Sequence, residues 1–556
     1  GNMGSGGAIS NLDATLNIGD GAVFEDNKAG RFGAAIYNGE SSHLTIGNNA
    51  IFKNNITGYS GGIFNTDGSI LSIGNAAQFI GNKTTTADTS GAVFVNQQAT
   101  MNIGHNALFQ NNTSSFSGAV LYQQIQAGQP QAKTTIGNNA RFIGNTSGRA
   151  GVIYNYNASG VVGTDSIIEI GNNSVFRNNS ATSGYGGAIG NWFGTLTIDD
   201  NAMFVSNSSK SFAGAIASES VMSFTGSSNF SKNKTDGYGG AIVNSNIYST
   251  PDTSMTFGGT AIFDGNTAGT YGGAIVNQSV MTFNQDSTFT NNTSGAYGGA
   301  IVNSGTMNFN GDVTFAGNMA NGIANDIANG GAITFGDGVN ITLDGGIQKR
   351  GSGSSITFGN NSKLYAKLNT TPVINADTIA IGSNVTIEKL MIGGGVSGDN
   401  IALTSGTMTG DFVFDSGAYQ NNLYNVTYAG AGKFNVTQKS VDEIAAATGV
   451  KATDLKMVGA VNSSTSENKV FTAVQNNIAE MLQSDDPSEF NAGVAAANKL
   501  APTTAPVAQA SSIQHSNQIF TVAGTRFNRA VPTPMGMSSG DMDMGDFTLW
   551  GTGILN

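Results

Sequence analysis

The sequence predicts an all-β fold, a right-handed parallel β-helix with three strands per rung, followed by a small helical C-terminal linker region. Three observations predict it. First, the phrase Gly-Gly-Ala-Ile or a near variant recurs twelve times. Its hydrophobic fourth residue falls at Ile9, Ile36, Ile63, Val93, Val120, Ile153, Ile189, Ile216, Ile242, Ile275, Ile301 and Ile333. Second, the phrase Phe-x-x-Asn follows every copy but the last. Third, the 556 residues include 78 glycines and only 8 prolines, so turns are frequent and helix formers sparse. A minimum spacing of about 26 residues with occasional insertions marks stacked units, not separate domains.

Each unit reads as three short strands. The glycines of the first phrase free a corner where a side chain would collide. The second strand follows, as in Leu16-Asn17-Ile18-Gly19, Leu44-Thr45-Ile46-Gly47 and Met101-Asn102-Ile103-Gly104. The third carries Phe24, Phe52, Phe79, Phe109, Phe142, Phe176, Phe204, Phe230, Phe263, Phe289 or Phe315. Each is followed three residues later by Asn27, Asn55, Asn82, Asn112, Asn145, Asn179, Asn207, Asn233, Asn266, Asn292 or Asn318. One unit cannot bury its apolar side alone, whereas stacked units bury a continuous core. Equivalent residues then overlie one another. The phenylalanines are expected to form one internal column, and the asparagines a corner ladder in which each tolerates left-handed turn geometry. A further column runs Ile18, Ile46, Ile73, Ile103, Ile136, Ile170 and Ile198, then Phe224, Phe257, Phe283 and Phe309. It changes identity once, as volume matching between neighbours requires. The crossover rule for parallel strands makes the coil right-handed.

Four regions follow. Residues 1–333 hold the regular repeats, and 334–439 lose Phe-x-x-Asn but keep short β-like runs such as Ile356-Thr357-Phe358. Residues 440–530 are expected to be helical. Ser440-Val441-Asp442-Glu443 forms a capping box, Val470, Val474, Ile478, Met481 and Leu482 form a stripe, and Pro487 opens a second helix. A third is expected over 506–527. Residues 531–556 read as a flexible linker and a final strand from Phe547 to Asn556.

Repeated Gly-Gly-Ala-Ile with Phe-x-x-Asn resembles the passenger repeats of the polymorphic outer membrane proteins, a branch of the autotransporter (type V secretion) adhesins. The tail, from Leu500-Ala501-Pro502 to Leu549-Trp550-Gly551-Thr552-Gly553, resembles the linker helix and first strand of an autotransporter translocator barrel. The resemblance covers about residues 1–333 and 490–556. It implies a cell-surface, outer-membrane or secreted protein of a Gram-negative-type bacterium. Any hold on a membrane would come only through a barrel that this sequence lacks. The start within a repeat, without a polar cap or signal peptide, is expected of a chain shortened at its N-terminus.

Composition narrows the chemistry. No cysteine means no disulfide and no thiolate metal site. A net charge of -12 with no basic stripe argues against a nucleic-acid partner. A glycan-cleaving β-helix needs close carboxylates. Asp199-Asp200 is an adjacent acidic pair in the repeats, and a solvated turn is the favoured reading. His43, His105 and His515 do not share a position, so surface roles are favoured over a triad or metal. Asp26-Asn27 and Asp264-Gly265-Asn266 lack the alternation of calcium loops. The methionines in Met535-Gly536-Met537 and Met542-Asp543-Met544 read as linker rather than copper ligands. Asn-x-Ser/Thr triplets such as Asn55-Ile56-Thr57 read as corner chemistry. No enzyme, cofactor or metal is expected.

Two features are candidates for binding, although corner packing for the first and tolerated decoration for the second are the favoured readings. Four residues before each repeat hydrophobe stands Phe32, Tyr59, Phe116, Tyr185, Phe212, Tyr238, Tyr271 or Tyr297, with Arg149 in one rung. This aromatic column either packs the corner or offers a strip to sugar rings or a partner surface. The longest rungs insert residues between the first and second strands, around 124–133, 156–166 and 246–254, with Tyr122, Tyr154, Tyr156 and Tyr248 nearby. Equivalent insertions are expected to protrude from one flank. The favoured function is an adhesin binding glycan or protein on a host or neighbouring cell. A structural spacer or self-associating filament is the alternative, and a polysaccharide-cleaving enzyme the third reading.

Overall fold

The computed structural model describes residues 6–500 except 87–90, 127–130, 159, 161, 163–164, 247–252, 456, 459–468 and 485. Two units emerge. The first spans residues up to 420 and 424–438, and the second comprises 421–423 and the residues from 439 on.

The first unit is a parallel β-solenoid. The Phe-bearing strands form a 14-stranded parallel sheet, and the first and second strands form two columns of a 28-stranded sheet. These two columns are continuous because the strand Ile374–Ile381 belongs to both. A fourth, two-residue strand follows each ladder asparagine and builds a 12-stranded sheet that ends in the antiparallel hairpin Met319–Ala320/Ile323–Ala324. The last part of the unit is a three-stranded antiparallel sheet, Gly398–Ala402, Tyr424–Gly430 and Lys433–Gln438.

Like stacks on like. The eleven phenylalanines of the third strand are buried and lie in one column. Their ring centroids are 4.4 to 5.0 Å apart and their planes within 2 to 11° of parallel. Centroid separation matches the rung spacing of about 4.8 Å, so each ring sits over its equivalent. The second column is also in register, from Ile18 paired with Ile46 to Phe283 paired with Phe309. It continues through Phe335 and Phe358. From Phe224 onward the two phenylalanine columns meet edge to face, with Phe224 at 85° to Phe230. Edge-to-face contact suits the aromatic quadrupole and fills the corner between strands.

The asparagine ladder satisfies the amides it buries. Asn207 is typical. Its Nδ2 donates to Asn233 Oδ1 (3.0 Å) in the next rung and to the Phe176 carbonyl (2.9 Å) in the one before. Its Oδ1 accepts from both the backbone N (3.1 Å) and Nδ2 (3.0 Å) of Asn179. The left-handed residue is not the ladder asparagine but the one before it: Asp26, Asn54, Gly81, Asn111, Gly144, Asn178, Ser206, Lys232, Gly265, Asn291 and Gly317 all have positive φ. The turn puts left-handed backbone where the side chain points out, leaving the inward asparagine free to bond. This corrects the expectation that the ladder asparagine itself is left-handed. A triplet such as Asn55-Ile56-Thr57 has its asparagine fully buried, as corner chemistry requires.

The register also corrects three repeat positions. Phe94, not Val93, pairs with Ile63, and Leu121, not Val120, pairs with Ile153. At the end of the run Ile327 pairs with Ile301, while Ile333 stacks on Met307 in the second-strand column. The phrase Gly330-Gly331-Ala332-Ile333 imitates the repeat without holding its place. A better marker is an amide two residues past the repeat hydrophobe. Asn11, Asn38, Asn65, Asn96, Gln123, Asn155 and Asn191 form a second buried ladder, with links of 2.8 to 3.4 Å. It resumes at Asn244, Asn277, Asn303 and Asn329.

The second unit is helical. Val441–Thr448 is capped by Ser440 and Glu443 in a capping box and ends at Gly449. Lys469–Leu482 follows, then Pro487–Lys499 with Asp486 as N-cap. The helix expected over 506–527 and the linker and strand at 531–556 lie outside the described residues, as do His515 and the tail methionines. No helix among the described residues is long and apolar enough to cross a membrane, which says nothing of a β-barrel.

Candidate binding surface

The residue after each repeat hydrophobe points outward. Tyr37, Phe64, Val95, Tyr122 and Tyr154 take this place early, then Gly190, Ala217, Val243, Val276, Val302 and Ala328. The corner aromatics fold over them. Tyr185, Trp192, Phe212 and Tyr271 pack on a cluster of Ala213, Ala217, Val243, Val276, Val302 and Ala328 outside the main core. The column is thus a second apolar layer on the outer face of the first strands, not a corner plug.

Its rings form a track along the stack. Tyr185, Phe212, Tyr238, Tyr271 and Tyr297 follow one another at 6.3, 5.3, 5.1 and 5.6 Å, with planes within 24° of parallel. Trp192 extends it toward the N-terminus, 4.7 Å from Tyr185 and 5.5 Å from Tyr154. Tyr154 in turn stacks on Tyr122 (5.7 Å) and Tyr156 (5.9 Å). Because these rings lie against one another, their faces are taken. Edges and hydroxyls remain for a partner, so face-on sugar stacking is not what the run of the track offers. Tyr59, Tyr238 and Tyr297 keep 52, 37 and 52% of their surface exposed. Tyr122, Tyr154, Tyr156, Tyr185 and Tyr271 are half-buried. Burial raises the Tyr122 phenol to about 12, and it raises Tyr154 further, so both stay protonated donors. Tyr248 lies outside the described residues.

Three arginines lie over rings beside this strip. Arg31 is 5.0 Å from Phe32, and Arg149 stands between Phe116 (5.4 Å) and Tyr185 (5.6 Å). Arg350 reaches back over Tyr271 (4.9 Å) and Tyr297 (5.8 Å). The five ion pairs among the described residues all use lysine, as in Lys53–Glu25 and Lys210–Asp236 (both 2.6 Å). The insertions do fall at one place in the rung. They join Leu121–Ile125 to Ala132–Ile136, Ile153–Asn157 to Ser166–Ile170, and Ile242–Asn244 to Ser254–Phe257. The first two therefore leave from the strands that carry Tyr122, Tyr154 and Tyr156.

The other polar residues have turn partners. Asp200 and His105 belong to an exposed ladder at the turn after the second strand. Asn138 N donates to His105 Nδ1 (3.0 Å), and Ser227 N donates to Asp200 Oδ1 (2.7 Å), just as Asn75 N donates to Asn48 Oδ1 (2.9 Å). Asp199 accepts from Thr225 and Asp264 accepts from Thr290 Oγ1. His43 starts a second strand and is exposed. Among the described residues no three His, Asp or Glu side chains gather to hold a metal. A polar cleft of about 570 Å³, lined by Gln348, Lys349, Asn375, Asp377, Ser405 and Thr407, was not foreseen. It forms where the register shifts between Asn375 and Thr378.

These features define the class, a parallel β-solenoid of short repeats with two buried amide ladders and an outer aromatic track. Three stretches, 227–245, 260–278 and 286–304, match the family model of the Chlamydia polymorphic membrane protein repeat. Each runs from just before Phe-x-x-Asn to just past Gly-Gly-Ala-Ile. No curated protein and no solved structure matches the chain. The repeat match and the β-solenoid are together consistent with a passenger of the polymorphic membrane protein type, within the autotransporters. That is a family of surface-exposed proteins and not an enzyme family.

Proposed function

We propose that this passenger is an adhesin, binding a protein or glycan on another cell along its aromatic track. The observation that carries the reading is the track itself. Rings follow one another outside the hydrophobic core, on the outer face, and Tyr59, Tyr238 and Tyr297 keep about a third to a half of their surface exposed. A solenoid needs no such layer to stack, because its inner columns and ladders already do so. Aromatic residues with a polar tip are the side chains that dominate binding hot spots. The insertions that follow the strands of Tyr122 and Tyr154 add loop residues, which carry recognition more often than scaffold does.

The test replaces Tyr59, Tyr238 and Tyr297 together with serine. Binding of the purified passenger to cultured host cells is expected to fall at least ten-fold, with thermal unfolding little changed. Unchanged cell binding would sink the reading. Self-association lost in the same variant, with no cell binding in the parent, would favour a filament.

A further inference from the structure

Arg149 stands at a corner of the aromatic column, four residues before Ile153. The corner is one residue tighter there: Ala150 pairs with Ser117 and Tyr185 in the place that a ring takes in later rungs, and Arg149 lies just before it. Its guanidinium lies against Phe116 on one side and Tyr185 on the other. A guanidinium between two rings keeps its planar faces covered and its N–H groups at the rim. It is exposed, and no carboxylate of the described residues pairs with it. None of the arginines among the described residues pairs with a carboxylate, and Arg149 is set apart by Trp192, which packs on the Tyr185 ring that the guanidinium also meets.

Its surroundings are equally specific. Gly190 leaves space that the indole of Trp192 fills. A Cβ there would meet Trp192 Cζ3 at 2.6 Å and Tyr154 Cδ2 at 3.1 Å. Trp192 thereby bridges Tyr154, in the arginine's own rung, and Tyr185, in the next. Tyr156 stacks on Tyr154, 5.9 Å away. Among the described residues of the track, no other place brings a tryptophan and several tyrosines to one charge.

We propose that Arg149 and the rings of Tyr154, Tyr185 and Trp192 form a binding site for a carboxylate-bearing sugar. The guanidinium fork matches a carboxylate with two parallel hydrogen bonds, and its weak hydration lowers the cost of doing so on an aromatic bed. Ring edges and phenol hydroxyls meet the C–H and O–H groups of the sugar body. This site rests on reading the track as a binding surface and gives it a ligand class. A sugar is favoured over an acidic peptide because one cation among many hydroxyl and ring edges suits one charge on a hydroxylated body.

The experiment reads Trp192 fluorescence in the full chain. Trp550 is the only other tryptophan, so Trp550→Phe leaves a single reporter. Sialyllactose and neutral lactose are the probes, with poly-glutamate as the acidic-peptide control. Sialyllactose is expected to shift the emission and to bind at least ten-fold more tightly than lactose. Arg149→Gln is expected to abolish that preference, Arg149→Lys to restore part of it, and added salt to weaken it. Equal affinity for both sugars, no response to either, or an unchanged R149Q would overturn the site. So would poly-glutamate binding more tightly than sialyllactose. Cell binding that persists alongside a flat sugar titration would remove this site and leave the adhesin reading standing.

Discussion

Replacing Asn207 by leucine tests how the fold is held. Leucine keeps the volume and removes the amide. Two buried donors then lose their partners, the Asn179 backbone N–H and one N–H of the Asn179 amide, while the Phe176 carbonyl loses a side-chain donor but stays in the β-ladder. Asn233 Oδ1 loses one donor but keeps the backbone N–H of Asn207 (3.0 Å). Each stranded group costs about 1–3 kcal/mol, so the loss is roughly 2–6 kcal/mol. Asn27 is the internal control. It sits in the first rung and donates to Asn55 Oδ1 (2.8 Å), with no ladder asparagine before it to leave stranded. Asn27→Leu is expected to cost about 1 kcal/mol. Because neighbouring rungs stabilise one another, the readout is local as well as global. Hydrogen exchange by mass spectrometry should show lost protection across 174–236 in N207L, with a lower urea midpoint. Equal midpoints for N207L and N27L would refute the argument that the ladder's bonds, not its shape, hold the corner.

Asp326 takes over where the ladder ends. It is buried and accepts from Asn318 Nδ2 (3.0 Å) and from the backbone N of Gly345 (2.7 Å) and Gly346 (3.0 Å). Burial raises its carboxyl to about 7, Asp344 adds to the rise, and the three donors oppose it. The folded chain thus holds this proton up to about pH 7, while an unfolded one releases it near 3.8. Stability from this group is full below about pH 4 and is lost as pH rises from there through 7. Urea midpoints at pH 5 and pH 7 should differ less in Asp326→Asn than in the parent, and an equal difference would count against the assignment. Gly240→Ala places a Cβ 1.9 Å from the Gly273 carbonyl oxygen, whereas Gly19 has nothing within 4 Å. G240A is expected to cost at least about 2 kcal/mol and G19A well under that, both by urea unfolding. Phe263→Ala opens the buried column and should cost about 3–5 kcal/mol, with the largest loss of exchange protection in the rungs of Phe230 and Phe289.

The solenoid was legible because its demands repeat. Phenylalanine at a fixed distance before asparagine recurs eleven times, and the stack uses both residues each time. What misled was phrase matching at insertions and ends. Ser90-Gly91-Ala92-Val93 has the look of the repeat, yet the strand starts at Phe94 because Gly91 is the left-handed residue. Position relative to the following Asn96 would have fixed this, since the second ladder tolerates little slippage. The aromatic column was visible, but its layering over Val243, Val276 and Val302 was not, because outward valines read as ordinary strand residues. Trp192 was missed since it lies three residues past its repeat Ile189 and reaches the track only across Gly190. Arg350 was missed because it arrives from a later rung to lie over Tyr271 and Tyr297.

Spin-label distances test the stacking most directly, and the absence of native cysteine makes them clean. Gln78, Arg141, Met203, Ile262 and Thr314 share one outward position beside the phenylalanine column, in alternate rungs. The first label is attached through Gln78→Cys, and the second through a cysteine substitution at each of the other four in turn. Dipolar spectroscopy, by line broadening for the nearest pair and by pulsed methods for the rest, should give about 10, 19, 29 and 38 Å, rising by about 4.8 Å per rung. Distances that fail to climb in step with rung number would contradict the account.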